Sequence, residues 1–161
     1  MRYIFYFVIG YCLWLLLTLT FNIDHLIAGA ILVLLGTVFY GGYFTSRPLK
    51  YLQPHRLFWL LLYIPAFIWF MIKANIDVAY RVLHPDRPIK PGIVKIKTSL
   101  KTDIAKVFLA NSITLTPGTM TCEIDGEYLY IHWIWVQSSD LEEASKLIAS
   151  DFEPFLRRIF E

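Results

Sequence analysis

Two charge-free runs lie almost end to end near the start of the chain. Residues 3–21 and 26–44 are each nineteen residues long and contain no Asp, Glu, Lys or Arg; only Asn22-Ile23-Asp24-His25 separates them. A nineteen-residue helix is roughly 28 Å long, close to the thickness of a bilayer core. Two such runs joined by so short a polar stretch predict an antiparallel helical hairpin in a membrane, residues 1–44. Arg2 ahead of the first run and Ala28-Gly29-Ala30 imitate a signal peptide. The first run is longer than a usual signal core, however, and the second follows at once.

The remainder is more polar, but the chain as a whole stays greasy. Charged residues make up 17%, against about 25% in a typical soluble domain. The net charge of +2 and the lack of a basic stripe interleaved with aromatics argue against nucleic acid as a partner. Cys12 and Cys122 show no metal spacing and predict no disulfide framework.

Residues 45–56 carry Arg47, Lys50 and Arg56 without an acid, and the positive-inside rule makes them a basic cytoplasmic connector. A third apolar run, "LFWLLLYIPAFIWFMI", opens a helix over residues 57–83. Its polar second half is followed by Arg87, Lys90, Lys95 and Lys97. If this helix crossed, that basic stretch would lie outside. It is therefore expected to be tilted or interfacial, where Trp and Tyr are favoured. Residues 84–91 hold three prolines and read as a linker.

Residues 92–161 read as a small α+β cytoplasmic domain of order β-α-β-β-α. A strand is expected at 93–99. A helix capped by Thr102 follows, with Ile104, Val107, Phe108 and Ala110 or Asn111 recurring on its apolar face. The next strand, 119–124, is expected to set Met120, Cys122 and Ile124 on one face, and an Asp125-Gly126 hairpin leads to a strand at 128–136. A final helix, with Ser139 and Glu142 as a capping box, is expected to bend or split at Pro154. Seventy residues without a staple make a marginal core, so this domain is expected to lean on the membrane or on another subunit.

Chemistry is hard to find. A proton or ion path needs ionisable groups inside the bilayer, and neither long run has one. Asp24 and His25 are expected in the solvated turn. Lys73, Asp77 and Arg81, at i, i+4 and i+8, form a polar helix face, suited to an interfacial helix or to a partner subunit. His25, His55, His84 and His132 are scattered, without a second ligand at metal spacing. "ANSITLTPGTMT" (110–121) has no nucleophile elbow, no local triad and no phosphate-binding glycine-lysine pattern. It reads as a helix end plus a turn, with Asn111, Ser112, Thr114, Thr116, Pro117, Gly118 and Thr119 as a candidate docking surface. No catalytic residue, cofactor, metal or small-molecule substrate is expected.

This stretch, followed by "EYLYIHWI", resembles the signature of the E-type subunit of Mrp-type multisubunit sodium/proton antiporters. "IKANIDV" (72–78) and "KPGIVKIKTSLKTD" (90–103) agree in order, so the resemblance covers nearly the whole chain. It implies a small structural or assembly subunit in a prokaryotic cell membrane, with the ion paths carried by larger subunits. Similar subunits occur in membrane-bound hydrogenases and ferredoxin-linked respiratory complexes with an Mrp-like module, and that setting stays open. So does a stand-alone membrane-anchored binding domain.

Overall fold

The computed structural model describes residues 2–42 and 53–161. They fall into two units, Met1–Leu52 and Gln53–Glu161. Arg47 and Lys50 of the expected connector lie outside the described residues.

The first unit is a helical pair, α1 (Arg2–Thr18) and α2 (Ile23–Tyr40). α1 stops before its charge-free run does, and Leu19 turns the chain in a left-handed conformation at φ 49°. Asp24 and His25 are not in the turn. They belong to the first turn of α2, where the Asp24 carboxylate meets the positive end of the helix dipole. The two helices approach through glycines. A Cβ at Gly10 would stand 2.8 Å from Val33 Cγ1, one at Gly29 would enter the Trp14 ring, and one at Gly41 would stand 2.8 Å from Tyr3. Trp14 Nε1 donates to the His25 carbonyl at 3.0 Å, and Tyr11 Oη to that of Leu26 at 3.3 Å. Small residues facing large ones let helices pack where no hydrophobic effect drives them together.

The second unit opens with α3 (Pro54–Leu83). Proline at a first helical position loses no hydrogen bond, so the helix starts three residues earlier than the apolar run suggests. Arg56 thereby moves from the connector into the first turn. By length and composition α2 and α3 could each cross a membrane. There follow β1 (Gly92–Lys97), α4 (Asp103–Leu115), β2 (Thr119–Asp125), β3 (Tyr128–Trp133), α5 (Leu141–Ala149) and α6 (Glu153–Phe160). The order is thus β-α-β-β-α-α, because the last helix divides and Pro154 sits in the first turn of α6. Asp140, not Ser139, caps α5, accepting from the Glu142 and Glu143 amides at 3.0 Å each.

The sheet is antiparallel in the order β1-β3-β2. Val94 opposes Ile131 and Ile96 opposes Leu129, and all four are buried. A bulge between Thr121 and Glu123 sets Met120 opposite His132 but Ile124 opposite Leu129. Met120, Cys122 and Ile124 therefore cannot share a face, and all three are exposed. The hairpin turn is Gly126-Glu127, one residue later than expected, with Gly126 at φ 60°. α4 is capped by Thr102 as read. Its buried residues are Ala105, Leu109, Ala110, Ser112 and Ile113, so of the expected face Ala110 is inward, Val107 is exposed, and the part-exposed Phe108 packs on the buried Phe160 at a ring-centroid distance of 4.5 Å. Apolar residues on both sides of the helix leave its facing ambiguous in the sequence.

α3 is bound to the α+β elements along its length. Arg56 Nη1 donates to the Ile159 carbonyl at 2.5 Å and Nη2 to that of Glu161 at 3.0 Å, at the negative end of α6. Trp59 and Tyr63 meet Phe155, and Phe67 and Phe70 meet Phe152, at ring-centroid distances of 5.6–6.3 Å. Farther along, Arg81 lies 4.8 Å over the Trp135 ring and donates to the Pro88 carbonyl at 3.1 Å. The proline-rich segment is tied in too: the Lys90 amide donates to Ile134 at 3.0 Å, and the Lys90 carbonyl accepts from Val136 at 2.9 Å. Residues 57–83 and 92–161 thus pack as one unit across a segment that reads as a linker. α3 adds buried Tyr63 and the ring contacts of Trp59, Phe67 and Phe70 to the packing of the domain.

Candidate functional site

The polar stretch begins in the last two turns of α4 and ends in β2. Its hydroxyls turn back on the helix. Ser112 Oγ donates to Phe108 at 2.7 Å, Thr114 Oγ1 to Ala110 at 2.8 Å and Thr116 Oγ1 to Ser112 at 2.8 Å, each to a carbonyl four residues earlier. Thr119 Oγ1 donates to Ile113 at 2.7 Å and Thr121 Oγ1 to Ala110 at 3.0 Å. The bonds to Ser112 and Ile113 reach carbonyls in the last turn, which the end of a helix leaves without a helical partner; those to Phe108 and Ala110 are second bonds to carbonyls inside the helix.

Gly118 lets the chain reverse into β2. Its φ of 91° lies in the left-handed region, and a Cβ there would stand 3.1 Å from Ile134 Cγ2 and 3.2 Å from Val78 Cγ2. The conformation favours glycine, and the close approach of α3 leaves a Cβ little room. Ser112 is buried and accepts from Tyr63 Oη at 2.5 Å, since its own proton is given to Phe108. Tyr63 is the residue that sequence reasoning missed. The single hydroxyl of the apolar run 57–72, seven residues from Arg56 and so on the same face, was the available signal.

The structure brings part of the two candidate sets together. Lys73 and Asp77 of α3 line a cavity of about 300 Å³ with Thr116, Pro117 and Thr119. Arg81 is turned elsewhere. It holds Asp77 through two bonds of 2.7 and 3.0 Å and stacks on Trp135. Asn111 and Thr114 are exposed beside the exposed Leu115. Among the described residues no group of three or more His, Cys, Asp or Glu side chains could hold a metal ion, and both cysteines are free and exposed.

A glycine-packed apolar hairpin and a long helix clasped to a three-stranded α+β core define the class, a small membrane protein. The chain belongs to the MNHE family, described as a Na+/H+ ion antiporter subunit, whose model matches residues 7–159. It is 36% identical to the Na(+)/H(+) antiporter E1 subunit of Staphylococcus haemolyticus, over 92% of this chain and 91% of that protein. To the E-type Na(+)/H(+) antiporter subunit of Bacillus subtilis it is 35% identical, over 95% and 92%. To the corresponding protein of Alkalihalophilus pseudofirmus it is 40% identical, over 66% of this chain and 65% of that protein. Among solved structures it resembles a chain of the membrane-bound sulfane sulfur reductase, an archaeal respiratory membrane complex. The TM-score is 0.79, with 49% identity over 99% of both chains.

Proposed function

We propose that this chain is a non-catalytic assembly subunit of an antiporter-type membrane complex. In this reading α1 and α2 cross the bilayer as a hairpin and the second unit stands on the cytoplasmic side. The polar turn, with Asn111, Thr114 and Leu115 outward and Lys73 and Asp77 beside it, is offered to a neighbouring subunit. The observation that carries the reading is the commitment of the hydroxyls of Ser112, Thr114, Thr116 and Thr119 to backbone carbonyls, in a chain that matches the family over nearly all its length. Deleting the protein is expected to abolish sodium-dependent proton exchange in membrane vesicles; full exchange without it would overturn the proposal.

A second setting is favoured by one comparison. The 49% identity to the sulfane sulfur reductase chain exceeds the 35–40% identities to the antiporter subunits described above. On that ground the complex is a respiratory one with an antiporter-like module. Mild-detergent purification with mass spectrometry and an iron assay separates the settings. Co-purifying iron–sulfur subunits would place the chain in a respiratory complex, and a complete, metal-free set of antiporter-like subunits would restore the simple exchanger.

A further inference from the structure

We infer that α3 is an in-plane membrane helix. It lies along the bilayer surface, with the face turned away from the α+β elements sunk among headgroups and upper acyl chains, and it does not cross. At 100° per residue, Arg56, Tyr63, Phe67, Ala74 and Arg81 share the side that meets the domain. Phe58, Leu61, Trp69, Ile72, Ile76 and Leu83 fall on the opposite side, and all six are exposed. The charged residues of α3 are Arg56, Lys73, Asp77 and Arg81. Arg56 and Arg81 lie on the domain side, and Lys73 and Asp77 lie on one border of the apolar strip.

The clasp rules out a crossing. It runs from Arg56 to Arg81, about 38 Å of helix, longer than the hydrocarbon core is thick. Beside the first half of α3 stands α6, whose Phe155 meets Trp59 and Tyr63 and whose Glu153, Arg157 and Arg158 are its charged neighbours. A crossing α3 would draw those charges, and the polar sheet behind them, into hydrocarbon. Lying flat, the same helix puts only its uncharged strip there, and the domain stays in water.

The occupant of the strip is lipid. Its flank carries a cation at headgroup depth, Arg158 stacked 4.1 Å over the Trp59 ring. Exposed Trp69 and Tyr80 are the aromatic types that settle at that level. Anionic headgroups complement this edge. The chain also delivers this unit to a bilayer, since residues 43–52 alone separate it from the apolar hairpin. The inference holds in an exchanger and in a respiratory complex alike.

The test uses the full chain within its native complex, reconstituted in lipid nanodiscs, with Cys12→Ala and Cys122→Ser as background. Single cysteines at Phe58, Leu61, Trp69, Ile76 and Leu83 are spin-labelled. Depth is read from collisions with oxygen and with a water-soluble nickel chelate. Only variants that co-purify with the complex are scored, and Phe58 with Leu83 and one central position suffices. The expected result is one shallow depth for all, about 5–10 Å below the headgroups. A profile deepest near Trp69 that rises to opposite surfaces at the two ends would overturn the inference in favour of a crossing helix. Immobilised labels that meet neither collider would overturn it in favour of a covering subunit.

Discussion

Removing only the Tyr63 hydroxyl, in Tyr63→Phe, keeps the ring against Phe155 and leaves Ser112 still donating to Phe108. The loss should be one hydrogen bond, about 1 kcal/mol. Ser112→Ala is expected to be the worse change, because it strands a buried tyrosine hydroxyl at about 1–3 kcal/mol. Thermal unfolding of the purified full chain ranks the two: equal midpoints would mean that the stranded hydroxyl costs nothing, and midpoints equal to the parent's would mean that the bond contributes little. The glycines differ in the same way. Gly118→Val combines a left-handed φ with contacts to Ile134 and Val78, so it should cost about 1–2 kcal/mol in backbone strain and about 1–3 kcal/mol in overpacking. Gly126 has the same sign of φ but open space around it. Gly126→Asn, which tolerates that conformation, should unfold within a few degrees of the parent.

Between elements, the hairpin rests on an interlock of Gly29 with the Trp14 indole. Gly29→Leu should force α1 and α2 apart, and adding Trp14→Ala should restore their approach. Crosslinking between cysteines placed at Gly10 and Val33, read in membranes, is expected to fall in the single mutant and recover in the double. No recovery would show that the glycine serves something other than helix approach. These helices were legible in the sequence because a charge-free run has few places to go. The strand partners were legible because Leu129, Ile131 and Trp133 alternate cleanly. The rest was hidden for definite reasons. The inward face of α4 runs through Ala105, Leu109, Ser112 and Ile113, but apolar Ile104, Val107 and Phe108 stand beside it, so apolar periodicity alone does not choose between the two sides. The bulge at Thr121–Glu123 reverses which residues of β2 face inward, and strand alternation cannot announce it. Of the candidate site, the turn at Pro117-Gly118 could be read from residue type alone. The bond between Tyr63 and Ser112 could not, because its partners lie 49 residues apart and each looks ordinary in its local sequence.

At the scale of the whole molecule, Arg56 ties the start of α3 to the end of α6. Arg56→Met keeps much of the bulk but withdraws both donors from the Ile159 and Glu161 carbonyls, an expected loss of about 1–3 kcal/mol. Hydrogen exchange should then accelerate at the first turns of α3 and in α6 and leave β1 and β3 unchanged; uniform acceleration would argue against a local clasp. The same bond sets an order of events during synthesis. Arg56 and Ile159 are separated by 103 residues, so α3 leaves the ribosome long before the surface that will cover its inner side exists. During that interval Trp59, Tyr63, Phe67 and Phe70 are as bare as the strip opposite them. Newly made α3 is apolar around much of its circumference and resembles a membrane span to the insertion machinery. With α3 lying in the membrane plane as inferred above, its fate is a race between the bilayer interior and the arrival of Phe152 and Phe155, and slow translation of the second unit should favour a crossing form.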